Sequence, residues 1–255
     1  MIQLNFKSFG EGRPIIFLHG LFGMLDNWQT FGKKMAENGY EVFLIDQRDH
    51  GKSPTTEAFN YKLLANDLKD FVVDQGLNSA IIVGHSMGGK TAMQFVVDWP
   101  YLVDKLIIVD IAPKEYPNGH QAIFDALLDY DLATIQSRSE VYEYLKSKLE
   151  DESTIQFLLK NMNRLPEGGY QLKMNLELLY KEYSNIISNV TFKDTIKVPT
   201  LFVKGALSNY ITKDDEMVIK SLFANVIIKE IPNASHWVHA DQPQELFNVF
   251  TEFLG

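Results

Sequence analysis

The sequence predicts an α/β fold built on a mostly parallel, doubly wound sheet, and three observations support this prediction. Short apolar runs alternate with amphipathic helical stretches along most of the 255 residues, as in chains whose parallel sheets are covered by helices. The apolar runs contain few alternating polar residues, which is typical of strands buried on both faces. A serine flanked by glycines directly follows one apolar run and indicates a sharp turn from strand to helix.

Strands are predicted where a short apolar run ends in polar residues or glycine. An alternating segment opens the chain, and the predicted strands lie at residues 1–7, 14–19, 40–46, 80–84, 105–110, 200–204 and 226–231. Residues 60–75 carry leucine, phenylalanine and valine at the spacing of one apolar helix face. A last helix is predicted at residues 242–253.

The pattern changes between about residues 112 and 198, where only helices are predicted. Residues 155–162 and 176–183 both show the apolar spacing of amphipathic helices. We therefore predict a core formed by residues 1–112 and 199–255, with a helical cap at 113–198 inserted after the strand that ends at Asp110. An insertion at this point is expected to lie over the carboxyl edge of the sheet, where open α/β sheets bind ligands. The alternative is a helical subdomain packed elsewhere, without contact to the site.

Composition and charge exclude several classes of function. The net charge of −9, without a cluster of lysine and arginine, gives no reason to expect a nucleic-acid partner. The absence of cysteine excludes disulfides, thiolate zinc sites and a cysteine nucleophile. No apolar run is long enough to span a membrane, and the first residues lack the pattern of a signal peptide. We therefore expect a cytoplasmic protein.

The predicted nucleophile is Ser86. Residues 84–88 read Gly-His-Ser-Met-Gly and follow the apolar run at 80–83. The glycines allow a tight turn that lifts the serine hydroxyl clear of the sheet. The N-terminus of the following helix then lies where negative charge can be stabilised.

A serine hydroxyl becomes a good nucleophile when an imidazole removes its proton and a carboxylate orients that imidazole. Of the six histidines, His236 is the predicted base, because it lies in the loop after the last strand. The side chain of His85, next to the serine, is expected to point away from the cleft. His239 is expected in the pocket wall or in a structural role. His50 is expected to brace its loop by a hydrogen bond to a neighbour such as Arg48.

Several sequence blocks in the correct order resemble the α/β-hydrolase superfamily, and the match spans nearly the whole chain. The blocks are His-Gly at 19–20, Asp-Gln-Arg-x-His-Gly-x-Ser at 46–53, Gly-x-Ser-x-Gly-Gly at 84–89 and the late His236. Within the superfamily the chain is similar to the YbfF-like esterases and their ABHD11-type relatives. That similarity comes from residues 19–23, 27–28, 53–54, 109–113, 155–161 and 236–240.

The acid departs from the common superfamily pattern. Many members carry it in a G-x-x-D turn, but here residue 208 is a serine, which cannot hold a negative charge. Asp110 occupies the other position from which relatives supply the acid, and it is our predicted acid. The alternative is that Asp110 only caps the following turn or binds a lid residue. In that case Asp214 or Asp215 is the candidate for the acid. We accordingly expect Ser208→Ala to retain nearly full turnover.

The resemblance also implies an oxyanion hole and a set of pocket residues. The expected oxyanion donors are the backbone N–H groups of Leu21 and Met87. The candidates for the pocket wall are Phe22, Asn27, Trp28, Trp237 and His239. Each aromatic side chain among them is individually more common in a core than in a substrate contact.

Taken together, these features predict a serine hydrolase that cleaves acyl esters through an acyl-enzyme, without a metal or an organic cofactor. The resemblance adds acyl-CoA thioesters as candidate substrates. A serine at the turn argues against the dehalogenases and epoxide hydrolases of this fold, which carry an aspartate there. Two alternatives remain open: a lyase or carbon–carbon hydrolase that uses the same triad as a base, and a ligand receptor that does not turn over its ligand.

Overall fold

The computed structural model describes residues 2–135 and 137–255. Within these residues, seven strands form one sheet with the order β1-β3-β2-β4-β5-β8-β9, and β6 and β7 form a separate hairpin. The strands are β1 (Phe6–Phe9), β2 (Arg13–Leu18), β3 (Tyr40–Ile45), β4 (Ala80–His85), β5 (Val103–Val109), β6 (Met162–Arg164), β7 (Tyr170–Leu172), β8 (Thr200–Gly205) and β9 (Val226–Ile231). Only the edge pair of β1 and β3 is antiparallel in the large sheet. The predicted mostly parallel sheet is thus confirmed.

Eleven α-helices accompany the strands in the described residues. They are α1 (Gln29–Ala36), α2 (Tyr61–Asp74), α3 (Met87–Asp98), α4 (Gln121–Leu128), α5 (Arg138–Lys148), α6 (Glu152–Lys160), α7 (Leu176–Lys181), α8 (Tyr183–Ile187), α9 (Lys213–Leu222), α10 (Val238–Asp241) and α11 (Pro243–Leu254). The Asn60 side chain caps α2 by accepting a hydrogen bond from the backbone N–H of Leu63 at 3.0 Å. None of the described helices is both long and apolar enough to cross a bilayer.

Alternate residues of each strand point to opposite faces of the sheet, so the buried strands supply two cores. On one face, Ile16 and Ile82 belong to a cluster that includes residues of α2, α3 and α9. On the other face, Phe17 and Val83 belong to a cluster that includes residues of α1 and α11. These clusters explain why the apolar runs show no polar alternation.

The inserted segment at residues 113–198 corrects one prediction, because it is not helical throughout. It contains α4 to α8, but also the antiparallel pair of β6 and β7. The connection between them carries Gly168 and Gly169 with φ of +99° and +81°, and the Leu165 N–H donates to Gly169 O at 3.0 Å. The positive φ angles of these glycines form the turn that lets the two three-residue strands pair. Strands this short are not revealed by the spacing of apolar residues in the sequence. The helix predicted over 176–183 is also interrupted, at Glu182.

The inserted segment shares a third apolar cluster with the core. Phe124 of α4 and Leu158 of α6 belong to the same cluster as Leu21 and Met87, which flank the predicted nucleophile. The segment therefore packs against the carboxyl edge of the sheet. This contact argues against the alternative of a subdomain packed away from the site.

Candidate active site

The strand-to-helix turn holds Ser86 in an unusual backbone conformation. β4 ends at His85 and α3 begins at Met87, and Ser86 between them has φ of 52° and ψ of −121°. A side chain at Gly84 would meet Gly88 O at 2.2 Å, and one at Gly88 would meet Leu18 O at 2.5 Å. The two glycines therefore allow α3 to pack closely on the sheet while Ser86 faces the space above it.

Asp110 follows β5 and is fully buried, with φ of 51°. Its backbone N–H donates to Val203 O at 2.8 Å, which fixes the residue to the neighbouring strand. The carboxylate Oδ1 accepts the Gly205 N–H at 3.0 Å. The other oxygen, Oδ2, accepts the Ser208 hydroxyl and the Nδ1–H of His236, the latter at 2.8 Å. Asp110 thus contacts the predicted base directly.

The imidazole of His236 is held on several sides. Besides the bond to Asp110, its ring stacks on Tyr210 with centroids 3.7 Å apart and an interplanar angle of 17°. The Nε2–H of His85 donates to the backbone oxygen of His236 at 2.8 Å, so the ring of His85 braces the loop of the base. With Nδ1 donating to Asp110, Nε2 of His236 is the nitrogen available to accept a proton.

Ser86 and His236 line the same cavity of about 230 Å³, together with Phe22, Phe157 and Trp237. Ser86 also lines a second cavity of about 440 Å³, which His236 does not line. Below, these are called the smaller and the larger cavity. Residues as distant in the chain as Gly20 and Trp237 therefore line cavities that share Ser86.

The backbone N–H groups of Leu21 and Met87 have no hydrogen-bond acceptor among residues 2–135 and 137–255. Both residues are buried, with 7% and 3% exposure, and both line the larger cavity. Buried backbone donors are usually paired, so two free donors at a cavity that Ser86 also lines are chemically suited to bind a negatively charged oxygen.

Not all of the residues predicted to form the pocket wall lie at the cavities beside Ser86. Phe22 and Trp237 line the smaller cavity, and Trp237 also lines a separate cleft of about 600 Å³ with Asn27 and His239. Trp28 lines neither cavity beside Ser86: it is 1% exposed and stacks on His239 with centroids 4.5 Å apart. Asn27 accepts the Met24 N–H at 2.7 Å and so stabilises its own turn.

Asp215 and Asp214, the alternative candidates for the acid, have other partners or positions. Asp215 accepts hydrogen bonds from the Lys114 ammonium at 2.6 Å and from the backbone N–H of Thr212 at 2.8 Å. It therefore caps α9 and pairs with a lysine. Asp214 is exposed in the first turn of the same helix.

Burial keeps most of the histidines neutral. It lowers the pKa of His19, His120 and His239 to about 4, and that of His50 to about 3. The Nδ1–H of His50 donates to Arg48 O at 2.9 Å, so the predicted brace of this loop is confirmed.

Four residues beside the site were not predicted to function there. Tyr210 stacks on His236, the Ser208 hydroxyl donates to Asp110, and His120 lines both cavities. Lys90 lines the larger cavity. It follows Ser86 by four residues, which is about one helical turn, so its closeness to the site could have been predicted from the sequence. The other contacts join segments distant in sequence, which local patterns do not reveal.

Comparisons with known proteins identify the fold family of the chain. A family model described as the alpha/beta hydrolase fold matches residues 13–243. The chain is 35% identical to the sn-1-specific diacylglycerol lipase ABHD11 of Danio rerio, over 98% of this chain and 80% of that protein. It is 32% identical to the esterase YbfF of Escherichia coli, over 95% of this chain and 93% of that protein. A solved structure described as a marine microorganism esterase is 40% identical and superposes with a TM-score of 0.96, covering 99% of this chain and 100% of that one.

Proposed function

This chain belongs to the α/β-hydrolase fold family, and we propose that it hydrolyses carboxylic esters through an acyl-enzyme formed on Ser86. The observation that carries the proposal is the 2.8 Å hydrogen bond between Asp110 and His236, at the wall of a cavity that Ser86 also lines. The relatives named esterase or lipase support the same reaction class.

In the first half of the reaction, the Ser86 oxygen attacks the ester carbonyl while Nε2 of His236 takes the hydroxyl proton. The carbonyl oxygen becomes negatively charged and accepts hydrogen bonds from the N–H groups of Leu21 and Met87. Asp110 stabilises the imidazolium that forms, through the bond to Nδ1. His236 then gives its proton to the departing alcohol oxygen as the carbon–oxygen bond breaks.

In the second half, water attacks the acyl-enzyme and His236 takes a proton from that water. The tetrahedral intermediate collapses to a carboxylic acid, and the proton returns to the Ser86 oxygen. The sum is one ester and one water converted to one acid and one alcohol. Thioesters react by the same steps with a thiol as leaving group, so we include acyl thioesters in the proposed substrate class.

We further propose that residues 113–198 form a lid over a core made of residues 1–112 and 199–255. His120, Thr154 and Phe157 from the inserted segment line the smaller cavity, and Ile186 and Ile187 line the larger one. A substrate bound at Ser86 would be covered by these side chains, which would reduce its contact with bulk water.

A covalent labelling experiment tests the proposal. A fluorophosphonate probe should label the wild-type protein, which should also turn over short p-nitrophenyl esters. Ser86→Ala should abolish the labelling and lower turnover by about 10⁶-fold, because it removes the oxygen on which the proposed acyl-enzyme forms. The matched control is Ser221→Ala, an exposed serine on α9 whose hydroxyl bonds only its own helix, and it should behave as the wild type.

Three outcomes would contradict the proposal. Labelling and turnover that persist in Ser86→Ala would identify another nucleophile. Labelling without turnover of any ester would favour a receptor, and turnover only of substrates that lose a carbon-bound proton would favour a lyase.

A further inference from the structure

The larger cavity beside Ser86 carries positive charge in a protein whose net charge is −9. Its lining includes Lys90 and Lys114 but no aspartate or glutamate, and His120, which also lines it, is neutral because burial lowers its pKa to about 4. The rest of the lining is largely apolar, with Ile111 and Ile187 among the residues. A pocket of this kind suits a ligand that combines a hydrocarbon chain with a negative charge.

Of the two lysines, Lys90 is the one without a counter-ion. It is 1% exposed, and no carboxylate oxygen of the described residues lies within 4.0 Å of its ammonium. Two of its three N–H groups donate to Ile187 O, at 3.0 Å, and to Ser188 O. The third has no acceptor in the described part of the chain. Lys114, in contrast, pairs with Asp215 at 2.6 Å.

The surroundings of Lys90 do not neutralise its charge. The ring of Tyr116 lies 4.8 Å from the ammonium, and the two carbonyl groups carry only partial charges. Burial lowers the pKa of Lys90 to about 7; the negative charge of Glu115 raises this pKa, but it does not make up for the burial. An anionic group bound here would supply both a hydrogen-bond acceptor and a full opposite charge.

The geometry also indicates which end of a substrate lies near Lys90. His236 has to protonate the leaving group, and it lines the smaller cavity but not the larger one. The leaving group therefore lies in the smaller cavity and the acyl chain in the larger cavity, beside Lys90. Lys90 follows Ser86 by one helical turn, and both residues line the larger cavity, whereas Lys90 does not line the smaller one.

We propose that the acyl group of the substrate carries a terminal carboxylate that pairs with Lys90. The substrate class is then the monoesters of aliphatic dicarboxylic acids, together with the corresponding thioesters. This inference rests on the proposed esterase function and specifies its substrate. It assigns Lys90 a binding role in addition to its bonds to the inserted segment.

Matched pairs of methyl esters test the inference. Monomethyl adipate and methyl hexanoate have acyl chains of equal length and differ in the terminal carboxylate. We would measure kcat/KM by methanol release for this pair and for the corresponding pairs from succinic to pimelic acid. For the best length, the wild type should prefer the carboxylated ester by about 10- to 100-fold, the range expected for hydrogen bonds to a charged group.

Two variants locate the source of the preference. In Lys90→Met the ratio of the two kcat/KM values should fall to about one or below, because the carboxylate then enters a cavity without a free cation. The matched control is Lys114→Met, in the same cavity, which should keep the wild-type ratio because Asp215 already pairs with Lys114. Using a ratio within each variant corrects for any general loss of turnover caused by the broken bonds to Ile187 and Ser188.

The outcomes separate this inference from the esterase proposal. Turnover of methyl hexanoate without any preference for the carboxylated ester would overturn the role of Lys90 and leave the esterase proposal intact. A preference that survives in Lys90→Met would also overturn it. If Lys90→Met does not fold, Lys90→Gln takes its place, because glutamine is uncharged but carries N–H groups that can donate to Ile187 O and Ser188 O. Absence of turnover of every ester would overturn both proposals.

Discussion

Ser86 and Asp110 both adopt backbone conformations that are rare for residues other than glycine. Their φ angles are 52° and 51°, and conformations of this kind cost about 1–3 kcal/mol each. Backbone hydrogen bonds hold both residues in position, from Ser86 N to Val109 O at 3.0 Å and from Asp110 N to Val203 O at 2.8 Å. The rigid central strands β4, β5 and β8 thus offset the strain and orient the two side chains.

Asp110→Asn tests the acid of the proposed triad. The amide has no negative charge to stabilise the imidazolium, and its NH₂ group cannot accept the Nδ1–H of His236. We expect kcat to fall by about 10³- to 10⁴-fold while the fold is retained, as measured by steady-state turnover of p-nitrophenyl butyrate and by circular dichroism. Asp215→Asn serves as the control, because that carboxylate bonds Lys114 and Thr212 instead. Full turnover in Asp110→Asn would show that another residue orients His236.

Ser208→Ala is now expected to have a larger effect than the sequence predicts. The sequence pattern treats Ser208 as a position that has lost its carboxylate, so it predicts nearly full turnover. In the structure the hydroxyl donates to the same Asp110 oxygen that accepts from His236. We expect kcat to fall by about tenfold, with KM nearly unchanged, because this hydrogen bond positions the acid and does not contact the substrate.

Ser208→Thr is the matched control for that change, because it keeps the hydroxyl and should recover most of the lost turnover. An equal loss in both variants, or a change confined to KM, would contradict a positioning role. The sequence and the structure lead to different expectations for Ser208→Ala for a simple reason. The contact joins residues 98 positions apart, and no pattern within either segment reports it.

At the scale of elements, the loop after β3 connects the core to the inserted segment. Asp49 in this loop is 1% exposed, and its Oδ1 accepts hydrogen bonds from Thr56 N at 2.7 Å and from Asn175 Nδ2 at 3.0 Å. The backbone takes part too: Asn175 N donates to Asp49 O at 2.9 Å, and Gly51 N donates to Lys173 O at 2.6 Å. The insertion is therefore attached to the core by directed polar bonds in addition to apolar packing.

Asp49→Ala should weaken this attachment. It leaves the Thr56 N–H without an acceptor, leaves the Asn175 amide only its longer bond to Thr56 O at 3.3 Å, and puts alanine at a φ of 63°. We therefore expect the free energy of unfolding to fall by about 2–4 kcal/mol. Urea denaturation followed by tryptophan fluorescence measures the change. Asp49→Asn keeps an acceptor and tolerates positive φ, so it should lose less. Asp26→Ala, an exposed ion pair with Lys7, should cost below about 1 kcal/mol. Equal stability of Asp49→Ala and wild type would contradict the attachment.

The buried strands could be predicted from the sequence, whereas the short hairpin could not. The strands predicted at 14–19, 40–46 and 80–84 appear as Arg13–Leu18, Tyr40–Ile45 and Ala80–His85, because strands that are largely buried on both faces have a clearly apolar composition. The hairpin of β6 and β7 escaped prediction. Its strands have three residues each and are mostly exposed or half-buried, so they carry no apolar signal.

For the whole molecule, five histidines of the described residues are held neutral by burial. The pKa of His85 is well below its usual range, and the pKa values of His19, His50, His120 and His239 are lowered to between about 3 and about 4. In the unfolded chain these residues take up protons near pH 6.5. Between pH 6.5 and about 4 the unfolded state therefore binds more protons than the folded state, and the free energy of unfolding falls as the pH falls.

This difference predicts a protein that is stable at neutral pH and loses several kcal/mol of stability by pH 5. A single buried histidine whose pKa is lowered below 5 contributes about 2 kcal/mol to that loss. The contributions do not simply add, because the rings of His19 and His50 lie 5.0 Å apart and those of His85 and His239 lie 4.9 Å apart. Urea midpoints measured from pH 7.5 to pH 5.0 test this expectation. His50→Asn removes one such group but keeps an N–H donor for Arg48 O, so its stability should fall less steeply with pH than that of the wild type. Stability that stays constant down to pH 5 would mean that the folded protein binds these protons, and hence that the histidines are accessible to water.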